Sequence, residues 1–277
     1  MALARPLPTT LSPSKVSAFK NCPLAFRFSV IDRIPEPPSP AASKGTLVHR
    51  AMELLMLRKA GERTLDAALG DLATARAELA EHPEFAGLAM AADDWDLFYD
   101  DAERLVRNAF VIEDPTTINA VGLEVMLSVQ IDGVTVRGII DRLEIDDDGE
   151  FVVTDYKTGR TPRVGFEKRN LSGVEFYALL CESVLGKLPK RVQLLHLAEP
   201  EVIIYEPSPG TVRGVRQRTG AIWTAVKRAC ATDDFRPHRG PLCDWCTFKA
   251  YCPEWGGDPE RVTELVTGSF QERLPVG

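Results

Sequence analysis

No run of eighteen apolar residues occurs anywhere in this 277-residue sequence, so it offers no candidate for a membrane-spanning helix. Residues Met1 to Thr10 hold one arginine and none of the apolar stretch that a secretory signal needs, which gives the expectation of a cytoplasmic protein. A G-x-x-x-x-G-K-[ST] phosphate loop is missing, so any unwinding of nucleic acid would have to come from a partner. Internal repeats and low-complexity tracts are missing too. Cysteine is sparse, at six residues. In a cytoplasmic chain of this length, thiols are more naturally metal ligands or buried side chains than disulfide partners.

What is present is ordinary globular composition. Hydrophobic residues make up 44% and charged residues 26%, which excludes disorder, collagen and a coiled coil. The length suffices for one large core, or for a core with an inserted helical subdomain. A net charge of -7 argues, as an average, against a nucleic-acid partner. The average conceals a partition. Residues 51–150 carry 8 Lys+Arg against 23 Asp+Glu, whereas residues 151–240 carry 15 against 9 and residues 1–50 carry 7 against 2. A basic surface can therefore be assembled from the two ends of the chain, or the same charges can be solvated helix faces.

Local signals divide the chain into four segments. Ser12-Pro13 predicts a helix start with a serine cap and proline in the first turn, ending near Cys22-Pro23. The prolines at 35, 37, 38 and 40 predict a linker. From Lys44 to about Ile112 the composition is helical. Three strands in a meander follow, over 121–130, 134–145 and 151–157, with turns at Asp132-Gly133 and Asp146 to Gly149. A helix over Ser172 to Leu185, strands over Arg191–Leu197 and Val202–Tyr205, and a long helix over Gly210 to Ala231 complete the pattern. The expected segments are 1–43, a helical lobe at 44–115, an α/β core at 116–235, and a cysteine-rich end at 236–277.

The chemistry concentrates on the second and third strands of the meander. Strand side chains alternate, so Asp155 and Lys157 must share a face, and pairing of neighbouring strands brings Asp141 beside Asp155. Two carboxylates and an ammonium suit phosphodiester chemistry. Carboxylate oxygens match Mg²⁺ or Mn²⁺, which acidifies a bound water and neutralises charge on the scissile phosphate. A lysine orients the nucleophile or stabilises the transition state. The plain alternative is a surface ion pair between Asp155 and Lys157. Against it stand the apolar residues leading into each acid, Ile139-Ile140 and Val152-Val153, which mark buried strands.

Gly138-Ile139-Ile140-Asp141-Arg142 with Val153-Thr154-Asp155-Tyr156-Lys157-Thr158-Gly159 resembles the catalytic signature of the PD-(D/E)xK nucleases, in particular their RecB-like branch. The resemblance implies a restriction-endonuclease-like fold, a mixed central sheet flanked by helices, with an inserted helical lobe. It also implies Mg²⁺ or Mn²⁺ and DNA cleavage, expected as exonuclease action on single strands or ends. Gly45 to His49 resembles the Gly-x-x-x-His motif, which makes His49 a metal ligand beside Asp141 and Asp155, and Glu124 resembles the upstream acidic ligand. Tyr177 matches the tyrosine of a Gln-x-x-x-Tyr motif and joins Asp141, Asp155 and Lys157 as a catalytic residue. Gly173 stands where that motif has glutamine. That departure keeps open a second reading, a nucleic-acid-binding protein on the same fold with weak or lost cleavage.

Cys243, Cys246 and Cys252 form Cys-x2-Cys-x5-Cys, and Cys22 lies far upstream. Three close thiolates and one distant one complete either a tetrahedral Zn²⁺ site or a [4Fe-4S] cluster, and spacing does not separate them. The placement of one cysteine before the core and three after it is similar to the iron-sulfur staple of AddB-type and CRISPR-associated RecB-like nucleases, which implies [4Fe-4S]. Trp245, Phe248 and Tyr251 are expected to shield that site, with base stacking as the alternative. Cys181 and Cys230 lack the spacing and read as buried thiols. Lys168, Arg169, Lys190, Arg191, Arg213 and Arg216 are the candidate phosphate contacts. Expected partners are DNA and a helicase or other repair protein, and no membrane.

Overall fold

Several helix starts in this protein are set by proline or by a hydroxyl cap. The computed structural model describes residues 4–160 and 167–263, with side chains of the second stretch from residue 173 onward. Helix α1, Pro13–Asn21, opens on Ser12, whose hydroxyl accepts the Lys15 N–H at 3.3 Å. It ends at Cys22-Pro23 as expected. A short helix α2, Pro23–Phe26, then runs into one π-helical turn, Arg27–Ile31, which no local pattern announces. Helix α3, Pro40–Leu57, begins four residues ahead of the expected Lys44, because Pro40 needs no hydrogen bond at the first helical position. Helices α4, Leu65–Leu79, α5, Pro83–Ala86, and α6, Ala92–Ile112, fill the expected helical stretch.

Six strands form one mixed sheet: β1, Thr10–Leu11; β2, Ala120–Ile131; β3, Val134–Ile145; β4, Phe151–Lys157; β5, Arg191–His196; and β6, Glu201–Tyr205. The order is β1-β3-β4-β5-β6, with β2 also paired to β3. Strands β3 and β4 are antiparallel, β4 and β5 parallel, and β5 and β6 antiparallel. A parallel pair needs a crossover, and helix α7, Glu167–Leu185, supplies it. It starts ahead of the expected Ser172. Helix α8, Pro209–Thr232, follows β6. The architecture is the α/β fold that the sequence implied. Among the described residues, no helix is long and apolar enough to cross a membrane.

Two compact units emerge. One comprises 38–129 and 138–215. Its core joins Leu47, Met52 and Leu55 of α3 and Leu105 and Val106 of α6 to Tyr156 and Leu195 on the sheet and Leu197 just past β5, so the helical lobe and the sheet share one apolar interior. The other unit comprises 1–37, 130–137 and 216–277. There Arg27 pairs with Asp32 at 3.0 Å and with Glu260 at 2.9 Å, and Phe28 packs on Phe248 at 5.1 Å between ring centroids. These contacts tie the first segment to the last.

Behind the acidic strand face lies a buried ionic cluster. Arg142 of β3 is fully buried and holds both oxygens of Glu113 at 2.6 and 2.8 Å, with its Nε donating to Glu144 at 2.9 Å. It also donates to the Tyr156 hydroxyl at 2.5 Å. Removing one partner of such a cluster leaves uncompensated buried charge. Arg142→Leu is therefore expected to lose about 3 kcal/mol of stability, read as a lowered denaturant midpoint with an unchanged slope.

Candidate active site

The register of β3 against β4 pairs Arg142 with Thr154, so the next rung sets Asp141 opposite Asp155. Alternation puts both acids and Lys157 on one face, while Arg142, Thr154 and Tyr156 point to the other. Asp155 is 3% exposed. The Tyr177 hydroxyl of α7 donates to its Oδ1 at 2.8 Å, and the Lys157 ammonium forms an ion pair with its Oδ2. That oxygen accepts no hydrogen bond of good geometry. Its contact with the lysine is one of charge alone. The pairing of Asp155 with Lys157 thus occurs, with the acid buried and the lysine side chain 42% exposed.

Gly45 and His49 lie four apart and share one face of α3. A Cβ at Gly45 would stand 3.3 Å from the Thr158 hydroxyl, so the glycine lets the helix close on the end of β4. One turn on, His49 Nε2 lies 3.0 Å from the Tyr156 carbonyl. That nitrogen must donate, which leaves Nδ1 with a lone pair, and Nδ1 faces Asp141 Oδ2 at 3.4 Å. Two acceptors that close repel unless a proton or a cation stands between them. Asp141 Oδ2 also accepts the Tyr156 N–H at 2.8 Å, which fixes the carboxylate.

Glu124 completes the group in an unexpected way. It sits on β2 with φ of 46°, in the left-handed region that a non-glycine residue occupies at a cost of about 1 to 2 kcal/mol. The neighbouring Gly122 has no room for a side chain, since a Cβ would meet Val125 Cγ2 at 2.5 Å. Ligand atoms of His49, Glu124 and Asp141 all lie within 4.8 Å of one another, a set that one divalent ion could bridge. Asp155 is outside this trio, its oxygens held by Tyr177 and Lys157.

The electrostatics report missing positive charge. Burial, and next the Asp155 carboxylate, push Asp141 up to about 7, against an ordinary value of 3.8. Burial also raises Glu124. Burial and Asp155 push the Tyr177 phenol far above its usual range, so it stays a donor. In metal-free protein the folded state holds the Asp141 proton more tightly than the unfolded state does. The stability this group contributes is present below about 4 and is lost as pH rises towards about 7. Thermal unfolding in chelator is expected to show that decline, and Asp141→Asn to flatten it.

The profile of the PD-(D/E)XK nuclease superfamily matches residues 10–253, most of the chain and every site residue described above. The protein belongs to that superfamily. It is therefore a metal-dependent nuclease by family. In fold, this PD-(D/E)XK nuclease is similar to a Eubacterium rectale protein that carries the name of an exonuclease, with a TM-score of 0.56 and 14% identity over 86% of this chain and 87% of that one. A second solved structure, SSO0001, superposes with a TM-score of 0.43 at 13% identity, over 89% of this chain and 86% of that one, and adds nothing to the assignment. No curated protein matches the sequence.

The nuclease places its remaining candidates unevenly. Cys22, Cys243, Cys246 and Cys252 are all half-buried, in the unit that holds α1 and the end of α8. Burial raises the Cys246 thiol, and negative charge on Cys22, Cys243 and Cys252 raises it further. The four thus gather in space. Phe248 is buried beside them, but Trp245 is 80% exposed, so the expected shielding falls to Phe248 and not to Trp245. Cys181 and Cys230 are fully buried, and burial pushes the Cys181 thiol up to about 12. Lys190 pairs with Asp146 at 3.0 Å and Asp148 at 2.6 Å, and Arg191 lies 3.6 Å from Asp146, so the acidic turn answers both charges. Arg213 and Arg216 are exposed on α8. Lys168 and Arg169 have side chains outside the described residues. Gly173 has nothing within 4 Å of a built Cβ, so packing does not impose glycine there.

Proposed function

We propose that the protein cuts DNA, as an exonuclease acting on single strands or ends, at the face that carries Asp141, Asp155 and Lys157. The observation that carries this reading is the convergence of His49, Glu124 and Asp141 ligand atoms within 4.8 Å beside the Asp155–Lys157 pair. A hard divalent cation, Mg²⁺ or Mn²⁺, fits an imidazole and two carboxylates whose charge is otherwise unanswered. Such an ion, when bound, supplies an acidified water and neutralises charge on the scissile phosphate. His49, Glu124 and Asp141 would hold it. Tyr177 orients Asp155 through its hydrogen bond, and Lys157 provides a compact positive charge for the transition state. The name of the Eubacterium rectale protein accords with exonuclease action.

We assign the four cysteines to a [4Fe-4S] cluster. One cysteine ahead of the core and three behind it, with Cys22, Cys243 and Cys252 all acting on the Cys246 thiol, support one group shared by all four. A helicase or other repair protein fits as a partner, since the sequence has no phosphate loop of its own. The test is cleavage of end-labelled single- and double-stranded DNA with Mn²⁺, with Mg²⁺ and with chelator, iron being measured on the same preparation. Metal-dependent shortening from an end supports the reading. Binding without cutting in either metal would favour the binding-protein alternative that Gly173 raises.

A further inference from the structure

Among the described residues, His196 is a buried titratable group on the catalytic face to which the site gives no task. It ends β5, is 2% exposed, and neither ring nitrogen has a hydrogen-bond partner. The register pairs Lys157 of β4 with His196, and His196 with Glu201 of β6. Residues opposite one another across a sheet share a face, so the imidazole lies beside the lysine on the side that carries Asp155. The charged groups that act on it are Lys157 and Asp155 from β4, Glu201 from β6 and Glu199 from the turn before it.

An unsatisfied buried donor or acceptor costs about 1 to 3 kcal/mol, and an apolar side chain of similar shape avoids that. The position therefore holds a side chain that stability alone does not favour. Lys157, meanwhile, has its ion pair with Asp155 while Oδ2 remains turned to it. A cation held by His49, Glu124 and Asp141 would compete for that oxygen, because the β3–β4 register sets Asp155 across from Asp141. The ammonium, on a side chain 42% exposed, is then free to turn to water or to an acceptor on the same face.

We propose that His196 is a positioning residue for Lys157, an imidazole nitrogen accepting the lysine ammonium when Asp155 turns to the cation. The inference rests on the metal-dependent reading above. Burial lowers the His196 pKa, which keeps the ring neutral and its lone pair available.

The experiment compares wild type with His196→Phe and His196→Gln. Metal-free His196→Phe is expected to unfold at the wild-type temperature or above. In ¹⁵N spectra, Mg²⁺ is expected to move the Lys157 Nζ and His196 ring signals of the wild type together, and the Lys157 shift to change in the phenylalanine variant. In Mn²⁺-dependent cleavage, kcat should fall about tenfold in His196→Phe with KM unchanged, the worth of one hydrogen bond, and His196→Gln should keep most of it. Cleavage by His196→Phe at the wild-type rate overturns the proposal. So does a loss of activity matched by a loss of thermal stability, or a Lys157 shift with silent His196 signals. If wild type cuts no nucleic acid, the nuclease reading falls, and the stability and Mg²⁺ spectra alone decide the role of His196.

Discussion

Asp155→Asn is expected to lower the rate of metal-dependent DNA cleavage on the order of 10³-fold while leaving the fold intact. The side chain is nearly isosteric, and its amide oxygen can still accept the Tyr177 hydroxyl, which bonds Asp155 Oδ1 at 2.8 Å. What disappears is the charge. The lysine loses its ionic partner on β4, and the face loses a carboxylate that acts on both Asp141 and Glu124. Asparagine also removes like-charge repulsion, so the metal-free variant should be no less stable than wild type. Single-turnover cleavage with Mn²⁺, beside a thermal melt, separates the two effects. A variant that cuts within tenfold of wild type would move the catalytic centre away from β4.

Cys22→Ser is expected to give the largest loss of stability. A group held jointly by Cys22 and Cys243 closes a loop of roughly 220 residues, and the chain-entropy scale places a closure of that size near 5 kcal/mol. For a domain of this size that corresponds to a fall in Tm of about 10 °C or more. The serine variant should also lose iron and its visible absorbance, since three ligands hold a cluster weakly. Tm and iron content measured on the same samples test this. A colourless wild type with stoichiometric zinc, or a variant that keeps its iron and its Tm, contradicts the assignment. The contacts of Arg27 with Glu260 and of Phe28 with Phe248 would remain in the variant, so partial structure in that unit is expected to survive.

Much of this site was legible because its geometry is locally periodic. Strand alternation sufficed to put Asp155 and Lys157 on one face, and the short turn at Asp146 to Gly149 left β3 and β4 little choice but to pair with Asp141 opposite Asp155. Helical periodicity did the same for Gly45 and His49. The cysteines were legible by chemistry, because thiols in this spacing seek a common ligand. Lys190 and Arg191 were not readable in the same way. Their charge was visible, but not the acidic turn that answers it, since Asp146 and Asp148 lie more than forty residues earlier.

By itself the sequence determined which residues lie on strands and helices, and so which acids, lysine and histidine could meet, because alternation and helical repeat are properties of a few neighbouring residues. Only the tertiary structure decided that Glu124 turns into the site through a left-handed backbone, that Asp155 is held by Tyr177 and Lys157 outside the ligand trio, and that His196 is sealed beside the lysine without a partner. Each of those depends on packing between segments far apart in the chain, where burial sets the energy of a charge or a lone pair, and no local pattern encodes which distant groups meet there.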